Sequence, residues 1–190
     1  MNVYDFDGTI YEGDCSVDFF IFCLKKRPWL VFILPWQILG IGLYLVHAIS
    51  KGTMKEHYFS FLKFIPHDSS YIDSFWNQNI HRIYPWYKKQ QQETDVVISA
   101  SPAFLVKPAC ERIGIKNVIA TDVEYSSGKF LSQNCHDVMK VSFFYKRYPD
   151  IRISQFYSDS LSDEPMAELA DQAFLIDKGS IKAWPLKKYK

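Results

Sequence analysis

No strongly basic stretch is present in this chain: 22 Lys and Arg face 21 Asp and Glu, leaving a formal net charge of +1 over 190 residues. A phosphate backbone would meet no basic face, which excludes nucleic acid as the expected partner. The four cysteines, Cys15, Cys23, Cys110 and Cys135, form no Cys-x-x-Cys pair and have no histidine at metal-ligand spacing. They indicate neither a zinc site nor a disulfide framework, and are expected to be packing thiols in a reducing compartment. Met1 to Tyr4 is too short to hold the charged and apolar regions of a signal peptide ahead of the first motif, so a cytoplasmic protein is expected. No internal repeat or low-complexity linker divides the chain.

What is present is apolar bulk. A hydrophobic content of 48% lets a chain of this length bury a full core as one domain with an insertion. Met1 to Asp5 is a short apolar run that suits a buried strand, and Gly8 and Gly13 then punctuate a loop. From about Thr94 onward short apolar runs alternate with helical ones. "DVVIS" is a strand, Ser101 and Pro102 are read as the N-cap and first turn of a helix, and Gly114 as its stop. "NVIATDVEY" and "KFLSQ" are further strands around a turn at Ser126 to Gly128. A helix follows from His136 to about Tyr148, then a strand "IRISQFYS", a helix from Glu164 to Ala170 and a last strand "AFLI". Such alternation argues for an α/β fold: a Rossmann-like parallel sheet with helices on both faces. Residues 15–90 are aromatic and helical, without alternation.

In open parallel sheets the ligand crevice lies at the carboxyl ends of the strands. The first strand delivers Asp5 there, with Asp7 and Gly8 just beyond. "DVVIS" ends in Ser99, followed by Ala100. "IRISQFYS" ends at Ser158, followed by Asp159, with Asp163 four residues on, and Lys140 lies one turn into the preceding helix. Each feature alone has a plain structural reading. Asp and Gly are turn formers, a strand-end serine can satisfy backbone groups, Lys140 can be a solvated helix lysine, and Asp163 can cap a helix. Their order along the chain carries the argument.

"DFDGT", "VVISAS", Lys140 in "CHDVMK" and "YSDSLSDEPM" resemble, in order, the four motifs of the haloacid dehalogenase superfamily. The helical insert between the first and second motifs, with "SASPAFLVKP", is similar to the phosphoserine-phosphatase-like subfamily IB. The resemblance covers roughly residues 1–14 and 91–180; the insert matches only in position and helical character. It implies a catalytic core of residues 1–14 and 91–190 and a small helical cap of residues 15–90.

The resemblance implies a Mg²⁺-dependent phosphomonoester hydrolase acting on a small phosphorylated metabolite. Asp5 would be the nucleophile, forming an aspartyl phosphate, and Asp7 the acid for the leaving oxygen and then the base for water. Mg²⁺ takes oxygen ligands and keeps waters, so Asp5, the Asp7 carbonyl and Asp159 would hold it, with Asp163 orienting its waters. Thr9, Ser99, the Ala100 amide and Lys140 would contact the phosphate. An acid at Asp7 favours hydrolysis over a retained phosphoaspartate. Two other classes are open: a receiver-type signalling domain, whose acidic pair precedes its phosphorylated aspartate on another strand, and a phosphate-binding module without turnover.

Substrate identity is the thinner part. Phosphoserine phosphatases carry a glutamate in the loop after the first motif, where this chain has Asp14, and only Arg27 and Arg82 offer themselves to a serine carboxylate. Phosphoserine is therefore a lesser alternative. Pro28 to Ser50 contains no Asp, Glu, Lys or Arg and is flanked by Lys25, Lys26, Arg27 and Lys51. A single span through a bilayer would separate Asp5 from Ser99, and Pro35, Gly40 and Gly42 interrupt a long helix. The first expectation is a cap packing its own aromatics. The alternative is a peripheral membrane contact, with Trp29, Trp36 and Tyr44 suited to an interface; some subfamily IB members act on phosphatidylglycerophosphate, which keeps a lipid phosphate open.

Overall fold

The structure is a computed structural model that describes residues 1–185. Its centre is a six-stranded sheet in the order β3-β2-β1-β4-β5-β6. The strands are β1 (Asn2–Tyr4), β2 (Val96–Pro102), β3 (Asn117–Thr121), β4 (Ile153–Ser158), β5 (Ala170–Asp177) and β6 (Ser180–Ala183). The first five are mutually parallel, and β6 runs back along β5. Period-two alternation decides which side chains go to which face. Val3, Val96, Ile98 and Phe156 pack in one cluster with Phe144 and Met166, while Tyr4, Val97 and Tyr157 pack in the other with Phe6, Trp76 and Leu105. Both faces are therefore apolar, as a parallel sheet covered on two sides requires.

The helices are α1 (Cys15–Lys26), α2 (Leu34–Leu45), α3 (Lys51–Phe59), α4 (Ser69–Asn79), α5 (Pro85–Gln90), α6 (Ala103–Arg112), α7 (Val138–Arg147) and the one-turn α8 (Glu164–Ala167). Five of them lie between β1 and β2. Asp14 starts α1 by accepting from the Ser16 and Val17 amides, and α1 buries Phe19, Phe20, Phe22 and Cys23. These residues join the cluster of Tyr4 and Val97, so much of the insert shares its core with the sheet. All four cysteines are buried and unbridged.

The expectation that Pro28 to Ser50 packs its own aromatics is corrected. Trp29 and Trp36 are about half exposed, and Phe32, Ile38, Leu39, Ile41, Leu45 and Val46 face solvent. Ser101 is also corrected: it lies within β2 rather than capping α6, whose N-cap is Pro102. The β2–β3 register shifts between Ser99 and Pro102, a bulge that carries the strand past its expected end. "KFLSQ" forms no strand, only a bridge from Phe130 to Val123. α7 starts at Val138 because Asp137 takes φ 55°. α8 ends at Ala167, since β5 begins at Ala170, three residues before the expected "AFLI".

Candidate active site

β1 lies between β2 and β4, with Val3 opposite both Val96 and Phe156. Chain order runs outward from β1 in both directions, so the crevice forms at the carboxyl ends of β1, β2 and β4. Asp5 continues β1, its amide donating to Tyr157 O at 2.8 Å. The chain then turns sharply: the Ile10 and Tyr11 amides donate to Phe6 O, and the Gly8 amide to Gly13 O. Gly8 is required by two facts. Its φ is +67°, and a Cβ there would lie 2.1 Å from Asp159 Oδ2.

The crevice, of about 470 Å³, is lined by Asp5, Asp7, Asp14, Asp159, Asp163, Ser99, Ala100, Ser101, Lys51, Lys55, His136 and Lys140, among others. Lys140 Nζ donates to Asp5 Oδ1 and to Asp163 Oδ2, each at 2.6 Å, and Ser158 Oγ also donates to Asp163 Oδ2. Burial alone would lower the Lys140 ammonium, but Asp5 and Asp163 outweigh it and hold it above its usual range. Asp7 has different company. Its Oδ1 accepts from the Cys15 amide at 2.7 Å, at the start of α1, and its Oδ2 from the Ser101 hydroxyl at 2.6 Å. Burial pushes both Asp5 and Asp7 upward, and Asp159 in the same direction.

Six of the seven expected site side chains, Asp5, Asp7, Ser99, Lys140, Asp159 and Asp163, meet at this one place with Ala100. Thr9 does not. It is fully buried and does not line the crevice; its hydroxyl instead accepts the Asp159 amide at 2.9 Å. Thr9 is therefore corrected from a phosphate contact to the pin that ties the β1 loop to the β4 loop. Sequence reasoning missed Ser101, two residues beyond Ser99, and the pair Lys51 and Lys55. These lysines, four apart and so on one face of α3, could have been found by helical spacing. Lys55 Nζ donates to Ala100 O and Asn134 Oδ1, and Lys51 Nζ lies 3.2 Å from His136 Nε2.

The donors suit a hard divalent cation. Five carboxylates line the crevice against three lysines, and the Asp159 carboxylate lies against the Gly8 backbone, next to the peptide that carries the Asp7 carbonyl. Among the described residues no three His, Cys, Asp or Glu side chains are grouped so as to hold a metal ion by themselves. Mg²⁺ does not ask for such a grouping, because it is bound by one or two carboxylates and retains waters.

The haloacid dehalogenase-like hydrolase family model matches residues 3–168. No curated protein sequence matches the chain. Solved structures share the fold at low identity. A protein of unknown function from Bordetella pertussis Tohama I is 17% identical, with a TM-score of 0.68 over 91% of this chain and 87% of that one. A phosphoserine phosphohydrolase-like protein from Francisella tularensis subsp. tularensis SCHU S4 is 19% identical, with a TM-score of 0.56 over 91% and 86%. A substrate-bound phosphoserine phosphatase complex is 12% identical, with a TM-score of 0.55 over 90% and 82%. With the family model running from β1 through β4 and taking in every strand end that forms the crevice, the chain belongs to the haloacid dehalogenase-like hydrolases.

Proposed function

We propose that this protein is a Mg²⁺-dependent phosphomonoester hydrolase of the phosphoserine-phosphatase-like subfamily IB, acting on a small phosphorylated metabolite through an aspartyl phosphate on Asp5. The observation that carries this reading is the contrast between two carboxylates one residue apart. Asp5 is paired with the Lys140 ammonium, whereas Asp7 is held only by neutral donors, the Cys15 amide and Ser101 hydroxyl. Two acids in unlike surroundings suit two roles.

In this mechanism a carboxylate oxygen of Asp5 attacks phosphorus, and the bond to the leaving oxygen breaks. Asp7, whose proton affinity burial raises, gives a proton to that oxygen. The Asp7 carboxylate then takes a proton from water, whose oxygen attacks the phosphoaspartate, freeing Asp5 and inorganic phosphate. Asp5, the Asp7 carbonyl and Asp159 would hold Mg²⁺, which when bound offsets the charge on the phosphoryl oxygens. Ser99, the Ala100 amide and Lys140 would hold those oxygens, and Asp163, which keeps Lys140 in place, would orient the waters the metal keeps. Residues 15–90 serve as the cap over a core of residues 1–14 and 91–190, with Lys51 and Lys55 of α3 at the mouth of the crevice.

Phosphoserine is a poorer fit than another metabolite. Arg82 is engaged by Asp18 at 2.6 Å and stacks on Tyr11, Arg27 closes the end of α1, and neither lines the crevice. A phosphomonoester carried on a lipid is the second reading, favoured by the apolar residues that α2 leaves in solvent. The test is turnover of p-nitrophenyl phosphate with and without Mg²⁺, with mass spectrometry of the quenched enzyme. A gain of about 80 Da on Asp5, one phosphoryl group, is expected. A label on serine or histidine, or equal turnover in excess chelator, overturns the reading.

A further inference from the structure

The α2 helix is built inside out. Its packed side holds Gln37, whose amide donates to Tyr58 O at 2.8 Å, and Gly40, where a Cβ would lie 2.5 Å from His57. Its solvent side holds the large apolar residues. Phe32, just ahead of it, is 82% exposed, Ile38 64%, Leu45 68% and, just past its end, Val46 71%. Water is a poor solvent for such a face, and a contiguous patch of this kind marks an interaction surface.

Charge around the patch says what covers it. From Phe19 to Lys55 the sequence has no Asp or Glu, while Lys25, Lys26, Arg27, Lys51 and Lys55 bracket the apolar run. Lys55 is turned into the crevice onto Ala100 O and Asn134 Oδ1, but Lys25, Lys26, Arg27 and Lys51 flank the apolar run in sequence with cations alone, a pattern complementary to an anionic lipid surface. The segment lies on a bilayer and does not cross one. By length and apolar composition the helical stretch Pro28–Leu45, a 3-10 turn running into α2, could cross a membrane, but the sheet rules out a single crossing. β1 and β2, which precede and follow it, are paired neighbours in one sheet.

We infer that residues 28–46 dock this protein on an anionic membrane through Trp29, Phe32, Trp36, Ile38, Leu45 and Val46. Docking brings the crevice to the headgroups, because Lys51 and Lys55, which line its mouth, sit on α3 a few residues past Val46 and packed against α2. The surface stands on its own geometry; only its consequence, a phosphomonoester presented by lipid, rests on the phosphatase reading.

The experiment is co-sedimentation of the full chain with vesicles of phosphatidylglycerol mixed into phosphatidylcholine, and with phosphatidylcholine alone. Wild type is expected to pellet with the mixed vesicles and much less with the neutral ones. Lys25→Gln with Lys26→Gln should weaken binding about 25-fold, given about 1 kcal/mol per basic residue near an anionic surface. Phe32→Ser with Ile38→Ser, both in solvent and so harmless to the fold, should weaken it at least as much, with p-nitrophenyl phosphate turnover in the absence of vesicles unchanged. Wild type that stays in the supernatant overturns the inference, as do variants that pellet like wild type. A dimer in solution that the Phe32→Ser, Ile38→Ser pair dissociates, without vesicle binding, assigns the patch to a second copy and overturns it equally. Absent turnover with intact pelleting would remove the phosphatase reading and leave the docking surface standing.

Discussion

Lys140 Nζ lies 2.6 Å from Asp5 Oδ1, although 135 residues separate the two in sequence and Lys140 is 2% exposed. The contact joins α7 to the end of β1 beneath the crevice, with Asp163 on the far side of the ammonium. Removing that ammonium leaves two buried carboxylates facing each other. Lys140→Met should therefore cost about 3–5 kcal/mol, the usual loss when one partner of a buried ion pair is taken away. Adding Asp163→Asn to Lys140→Met should restore part of that stability while leaving turnover low. Urea denaturation in the presence of chelator, alongside p-nitrophenyl phosphate assays, measures both; a Lys140→Met protein as stable as wild type would contradict the triad.

The two acids of the first motif should fail differently. Asp5→Asn removes the proposed nucleophile and should lower turnover about 10³-fold or more, with no phosphoenzyme. Asp7→Asn should lose about 10²-fold to 10⁴-fold, the range for a general acid and base, yet accumulate phosphoenzyme because water is no longer activated. Ser101→Ala, which removes the hydroxyl held 2.6 Å from Asp7, should fall in the same direction as Asp7→Asn but by less. Rapid quench with mass spectrometry separates the three. Phosphoenzyme on Asp5→Asn would be incompatible with the roles given.

Most of this site was legible because its pieces are local. Asp5 and Asp7 before Gly8, Ser99 at the end of "VVIS" and Asp159 after "FYS" each sit at a strand end that short-range pattern reveals, and the sheet brings the ends together. What escaped depends on long-range geometry. Ser101 reads locally as a helix cap, but the bulge after Ser99 keeps it in β2, where its hydroxyl reaches Asp7. Thr9 reads as a motif residue facing ligand, but the tight turn directs it to the Asp159 amide. β6 was missed because it is four residues long and all four are exposed, so no buried face marks it. The orientation of α2 was illegible for a different reason: in a run apolar on every side, periodicity cannot pick the buried face, and Gln37 and Gly40 were chosen by their fit to Tyr58 and His57.

Metal dependence should separate the two acids of the last motif. Asp159 lies at the crevice edge against Gly8, whereas Asp163 is occupied by Lys140 and Ser158. Asp159→Ala should raise the Mg²⁺ concentration needed for half-maximal turnover far more than Asp163→Asn, whose effect through oriented groups is expected at about 10-fold to 100-fold. Titration of Mg²⁺ into chelator-treated protein, followed by turnover and by the heat of binding, checks the order. Equal shifts for the two variants would place both at the same distance from the metal.

Gly8 offers the sharpest test of how closely the β1 and β4 loops approach. Alanine there must hold φ near +67° and place a methyl carbon about where Asp159 Oδ2 now lies, 2.1 Å from the ideal Cβ position. The backbone term alone costs on the order of 1–2 kcal/mol, and the clash is relieved only if Asp159 swings away. Because Thr9 anchors the Asp159 amide, the side chain rather than the loop should move, withdrawing the carboxylate from the proposed metal position. Gly8→Ala should then resemble Asp159→Ala, with a steeply raised Mg²⁺ requirement, a small loss in melting temperature and little change in phosphate affinity at saturating metal. Gly8→Ala with wild-type Mg²⁺ dependence would show that the Asp159 carboxylate does not need the position it holds against the glycine.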